Sequence, residues 1–231
     1  MLSTLPRVRD AIAGAASSVG RDPETVRLIA VTKGHPLAAL RAALAAGLSD
    51  LGENRVEELA AKVAELPAVG PSASTAVRWH LVGHLQSRKA RSAVELADMV
   101  HSVDSVRLAE RMARIAREAG SSARVLAQVN TSGEAAKYGL PAASAEEEVL
   151  RIAELSGLRV EGLMTMAPLT NDQTVLASTF ARLRELRDRL VSADERVGGE
   201  LSMGMTNDLA AAVREGSTMV RIGTALFGER G

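Results

Sequence analysis

The chain has 231 residues, of which 46% are hydrophobic and 24% charged, and its formal net charge is zero. That is ordinary globular composition with no global field to attract nucleic acid or an anionic membrane, and the absence of cysteine excludes disulfides, thiolate metal sites and a Cys nucleophile. No apolar run reaches the length of a membrane span and no signal-peptide pattern opens the chain, so a single cytoplasmic domain over residues 1–231 is expected.

An amphipathic helix at about Leu5–Val19 precedes the first strand, Val26–Val31. The second strand, Leu48–Leu51, leads into a helix whose apolar residues Val56, Leu59, Val63 and Leu66 step by three and four. Ala68–Ala76, rich in Pro, Gly, Ser and Thr, reads as a flexible surface loop before the third strand, Val77–Val82. The fourth strand, Met99–Ser102, is followed by a stripe of Leu108, Met112, Ile115 and Ala119. The fifth is Val125–Val129 and the sixth Val160–Met164, after which Leu176, Phe180, Leu183, Leu186 and Leu190 repeat the helical stripe. Glu200–Met203 and Met219–Ile222 complete the set. Eight short strands, each followed by a helix or helical turn, predict an α/β fold: a closed (β/α)8 TIM barrel with an extra N-terminal helix. An open doubly wound sheet is the rival, but no glycine fingerprint follows the first strand.

In such a barrel the chemistry sits at the C-terminal ends of the strands. Lys33 ends the first strand. Only four lysines occur, Lys33, Lys62, Lys89 and Lys137, so arginine is the default cation and a buried lysine calls for a reason. A partly buried Lys33 would have a lowered pKa and a neutral amine ready to condense with an aldehyde; the plainer alternative is a solvated lysine at a loop start. After the seventh strand, Met203, Gly204, Met205 and Thr206 lead to Asp208 and a short helix; after the eighth come Gly223 and Thr224. Glycines that admit an anion to backbone N–H groups, hydroxyl donors and helix N-termini make these loops a phosphate-site candidate, with plain turn and cap chemistry as the alternative. Arg221 could donate to a ligand or form an ion pair on the barrel wall. Asn54 could hydrogen-bond a ligand, and Glu53 could support it or cap the next helix, capping being the plainer alternative. His80 and His84 are four apart, but a strand position for His80 removes the helical metal-pair geometry. His80 and Met164 are carried as ring-side candidates, with core filling as the alternative.

Taken together, Ala30-Val-Thr-Lys33, Gly52-Glu-Asn54, Trp79-His80 with Gly83 and Leu85-Gln-Ser87, Gly162-Leu-Met164, Leu201-Ser-Met-Gly-Met205 with Asp208, and Arg221-Ile-Gly-Thr224 resemble the pyridoxal phosphate homeostasis protein family, single-domain relatives of the alanine racemase N-terminal barrel. The resemblance covers nearly the whole chain. It implies pyridoxal 5′-phosphate (PLP) held as a Schiff base on Lys33, Asn54 near the cofactor, and Thr206, Gly223 and Thr224 on the phosphate, with Met203 and Gly204 in the same string. It also implies Arg221 facing the pyridine nitrogen, where a cation weakens the ring as an electron sink. Three departures stand out: Gly34 where Thr is frequent, His84 where proline is common, and Thr206 where Ser is frequent.

The function so implied is binding and homeostasis of PLP, with delivery to PLP-dependent apo-enzymes, no nucleic-acid or membrane partner, and a monomer. The rival is a PLP-dependent amino-acid racemase. Two-base racemisation needs a second acid/base on the opposite ring face; in alanine racemase a C-terminal domain supplies it, and here the chain ends at Gly231. A Schiff-base lyase for phosphorylated sugars is a third reading, disfavoured because its lysine more typically comes from a later strand.

Overall fold

The structure is a computed structural model and describes residues 2–66, 77–134 and 137–228. The loop expected at Ala68–Ala76 lies outside the described residues.

Eight parallel strands close into a barrel. They are β1 (Arg27–Val31), β2 (Asp50–Glu53), β3 (Arg78–Leu81), β4 (Met99–Val103), β5 (Ala123–Asn130), β7 (Leu158–Met164), β8 (Val197–Ser202) and β9 (Met219–Ile222). The order β4-β3-β2-β1-β9-β8-β7-β5 is closed by pairing of β4 with β5. A two-residue strand, β6 (Leu140–Pro141), adds to the end of β5; its length is too short for any periodicity to show, and the sequence reading had no strand there. Every expected strand is present, displaced by at most a few residues. TIM-barrel architecture is therefore correct, and α1 (Leu5–Ser17) is the extra N-terminal helix.

The remaining helices are α2 (Leu37–Ala45), α3 (Val56–Glu65), α4 (Ala90–Leu96), α5 (Val106–Glu118), α6 (Ala145–Ala153), α7 (Gln173–Ala193), α8 (Leu209–Arg214) and α9 (Thr224–Phe227). The starts of α5 and α7 carry side-chain caps. Asp172 accepts from the N–H groups of Thr174 and Val175 at 2.9 and 3.3 Å and opens α7; Ser105 accepts from Leu108 at 3.3 Å and opens α5. One stripe of each helix faces the strands: Leu108, Met112 and Ile115 on α5, and Leu176, Phe180, Leu183, Leu186 and Leu190 on α7, are buried. α1 lays Leu5, Val8 and Ile12 inward and packs on α8. No helix among the described residues is long and apolar enough to cross a membrane.

The inside of the barrel is a separate, mixed core. Ile29, Met99, Leu126, Met164 and Met219, from five different strands, form one buried apolar cluster. Beside it lie buried polar side chains: His80, His101, Ser202 and Arg221. Most of their hydrogen bonds join neighbouring strands, but that between His101 on β4 and Ser202 on β8 crosses the barrel.

Candidate functional site at the barrel mouth

A cavity of about 700 Å³ opens at the C-terminal ends of the strands, within the usual range for a small-ligand site. Lys33, two residues past the end of β1, is half-buried and lines it. So do Asn54, Arg221, Gly223, Thr206 and Thr224, which brings six of the ten candidates onto one wall. Thr206 and Thr224 keep their residues exposed there, after β8 and β9 respectively.

Four candidates stand elsewhere. Met203 is fully buried in the outer core, and Gly204 beside it is buried. Gly204 has φ +98°, and a Cβ there would come within 2.6 Å of the Ala212 methyl. Glycine is therefore needed to pack α8 against the end of β8. Met164 belongs to the interior apolar cluster; the methionine that lines the cavity is Met166, one turn of loop further on. His80 is interior as well, with its ring nitrogens on Asp50 and His101, each at 2.9 Å. Alternation along β3 sends His80 into the barrel well below the rim, whereas His84 stands at the rim with Nδ1 3.0 Å from Asp104. Among the described residues no group of His, Asp or Glu is placed to hold a metal ion.

The segment carrying Lys33 is held from both sides. Lys62 on α3 donates to the carbonyl oxygen of Thr32 at 2.7 Å, to Glu53 at 2.6 Å and to Glu58 at 2.7 Å. Glu58 accepts from the N–H of Gly34 at 2.5 Å, and Glu53 accepts a very short bond from the Thr32 hydroxyl. Lys62 and Glu53 are both buried. Burial pushes the Glu53 carboxyl above its ordinary value, with Lys62 and Thr32 opposing it. This network was missed in the sequence; the signal available was the scarcity of lysine combined with the i, i+4 spacing of Glu58 and Lys62.

On the β8 and β9 side of the mouth, Asp208 accepts from the N–H of Met205 at 2.5 Å and shapes the loop before α8. Burial raises its pKa. α9 starts at Thr224, so its first N–H groups precede any intrahelical partner. A Cβ at Gly223 would sit 3.1 Å from the carbonyl oxygen of Val31, so the small residue lets β9 exit close against β1. Arg221 is 5% exposed. Burial lowers its pKa to about 10, with Asp208 opposing, which leaves the guanidinium charged at neutral pH.

These features can be set beside known proteins. The family model for the alanine racemase N-terminal domain matches residues 9–231. A protein of Pseudomonas aeruginosa named pyridoxal phosphate homeostasis protein is 43% identical over 98% of this chain and 94% of its own length. The chain belongs to the pyridoxal phosphate homeostasis protein family. A solved structure of PipY from Synechococcus elongatus with PLP bound is 41% identical, with a TM-score of 0.82 over 96% of this chain and 100% of that one. Alanine racemase from Clostridium difficile matches at a TM-score of 0.75 over 99% of this chain and 57% of that one; at 14% identity the likeness is one of fold.

Two departures from the family's sequence pattern acquire a structural setting. Gly34 has φ +73°, a backbone state that a β-branched residue such as Thr adopts only under strain. His84 stacks on Tyr138, ring centroids 3.8 Å apart and planes within 14°. Tyr138 is carried there by the excursion between β5 and β6, where Gln128 donates to its carbonyl oxygen at 2.9 Å. Both rings line the cavity mouth, as does Leu169, which is 94% exposed.

Proposed function

We propose that this chain binds PLP as a Schiff base on Lys33 and serves PLP homeostasis, limiting free aldehyde and passing the cofactor to PLP-dependent apo-enzymes. The observation that carries this reading is that one lysine, one buried arginine and the hydroxyls of two loop threonines line a single cavity of about 700 Å³. The donor set fits a phosphorylated pyridine aldehyde: an amine for the aldehyde, and hydroxyls and helix-start N–H groups for a dianionic phosphate. PLP supplies a reactive aldehyde and an aromatic ring able to accept electrons.

The chain's own groups divide the work. Thr206, Thr224 and the backbone after Gly223 would hold the phosphate. Arg221 would face the pyridine nitrogen and, as a fixed cation, keep a proton off it. Lys62, Glu53 and Glu58 hold the residues on either side of Lys33. Lys62 itself spends all three donors on Glu53, Glu58 and Thr32, which withdraws it from aldehyde chemistry. Among the described residues the eight barrel strands close on themselves and only the two-residue β6 leaves an edge, in keeping with a monomer.

The test is the visible absorbance of the purified protein with added PLP, followed by borohydride reduction and peptide mapping. Expected is a yellow complex with label on Lys33, absent in Lys33→Ala. Label spread over Lys62, Lys89 and Lys137, or no band, would sink the assignment.

A further inference from the structure

We propose that Asp50, His80, His101 and Ser202 form a buried positioning relay that aims Arg221 into the mouth and hands its charge, bond by bond, to a carboxylate at the start of β2. The inference rests on the reading of Arg221 as the group that faces the cofactor's ring nitrogen.

The relay is continuous. Arg221 Nη1 donates to Ser202 Oγ at 2.7 Å, and Ser202 Oγ lies 2.8 Å from His101 Nδ1. His101 Nε2 is 2.9 Å from His80 Nδ1, and His80 Nε2 is 2.9 Å from Asp50 Oδ1. His101 and Ser202 are fully buried, His80 is 2% exposed and Asp50 5%. The path starts at the first residues of β2 and β3, where the Arg78 guanidinium grips Asp50 at 2.5 and 2.8 Å. It crosses the barrel from β4 to β8 and ends on β9 at the cavity wall.

Its two ends set its direction. A guanidinium can only donate and an ionised carboxylate can only accept. With both rings neutral, as the proposal takes them, the hydroxyl and the two rings each donate once and accept once under a single assignment. Ser202 donates its proton to His101 Nδ1, His101 donates from Nε2 to His80 Nδ1, and His80 donates from Nε2 to Asp50. Both histidines are then neutral and protonated on Nε2. Burial holds the His101 pKa well below its ordinary value, with the Arg221 charge adding to the effect.

The arrangement answers a problem posed by Arg221. Its Nη1 goes to a hydroxyl and its Nη2 to the carbonyl oxygen of Thr165 at 3.0 Å, and neither partner is an anion. A buried cation needs compensation. Asp208 offsets part of the burial cost through space, and aligned hydrogen bonds, which polarise one another in a low-dielectric interior, let a directed relay ending on Asp50 add to it. A carboxylate placed directly beside Arg221 would instead compete with the ring nitrogen for its donors. The relay stabilises the cation from behind and leaves its front to the cavity.

The deciding measurement is long-range proton–nitrogen NMR on apo protein labelled with nitrogen-15 in histidine. Expected is the Nε2–H tautomer for both His80 and His101. An Nδ1–H tautomer or an imidazolium at either ring near neutral pH overturns the relay, whatever the cofactor does. A second arm compares PLP affinity and the position of its visible band in the wild type, Ser202→Ala, His101→Phe and His101→Gln. Expected is a shifted band and roughly tenfold weaker binding for Ser202→Ala and His101→Phe, with His101→Gln, which keeps one donor and one acceptor, recovering most of it. A wild-type band left unchanged in both disrupting variants sinks the relay and spares the PLP reading. No band in the wild type sinks the PLP reading, and the tautomers still decide whether the relay exists.

Discussion

Lys62 Nζ lies 2.7 Å from the carbonyl oxygen of Thr32, the residue that immediately precedes Lys33. A second lysine thus holds the backbone from which the first projects. Breaking a buried ion pair from one side strands the remaining charge. Lys62→Met should therefore cost about 3 kcal/mol of stability in urea unfolding and weaken PLP retention while the borohydride label stays on Lys33. Adding Glu53→Gln should restore part of the loss. If Lys62→Met unfolds like the wild type, the clamp is not holding this segment.

Gly34→Thr places the family's frequent residue into a backbone with φ +73°. It should destabilise by roughly 1–2 kcal/mol, the cost of a left-handed state for a residue with a Cβ. The urea midpoint reports it. A neutral result would mean that the turn after Lys33 relaxes without penalty.

Thr206→Ala combined with Thr224→Ala removes two hydroxyls from the loops after β8 and β9. PLP affinity should fall about tenfold or more, because hydrogen bonds to a charged phosphate are lost. Equilibrium dialysis measures this, and unchanged affinity would place the phosphate elsewhere in the cavity.

Burial alone would raise the Asp50 carboxyl, but the Arg78 guanidinium and the His80 ring hold it well below its ordinary value of 3.8. A carboxyl with a depressed folded pKa contributes stability that is fully present above the unfolded value and is lost as pH falls below it. Asp50→Asn should therefore narrow the stability gap to wild type as pH drops below about 4. Parallel acid-unfolding curves for the two proteins across that window would show that Asp50 carries no such linkage.

Incubation with L-alanine and PLP should yield no D-alanine above background by chiral chromatography. Tyr138, the only tyrosine in the chain, does reach the cavity mouth, but its ring is stacked on His84. Turnover that disappears in Tyr138→Phe would reinstate the racemase reading.

The strands were legible because each is a short apolar run between turn residues, and the helices because three-and-four spacing marks a buried stripe. Lys33, Arg221 and the two threonine loops could be read for a related reason: in a barrel of known strand order, position along the chain nearly determines height and face. Met164 and His80 stand off the cavity lining because periodicity gives a strand residue's face but not its depth in the barrel. Two residues separate interior Met164 from cavity-lining Met166, and His80 lies deep enough on β3 to join the interior polar groups.

The order of strands, the stripes on the helices and the chemistry available at each strand end were determined by the sequence alone, since they depend on local periodicity and residue type. Tertiary structure decided which polar groups meet. Lys62 reaches Thr32 across 30 positions, and His101 reaches Ser202 across 101. Closing the barrel brings strands far apart in the chain to within hydrogen-bond distance inside a space with little water, where every polar group must find a partner among the others.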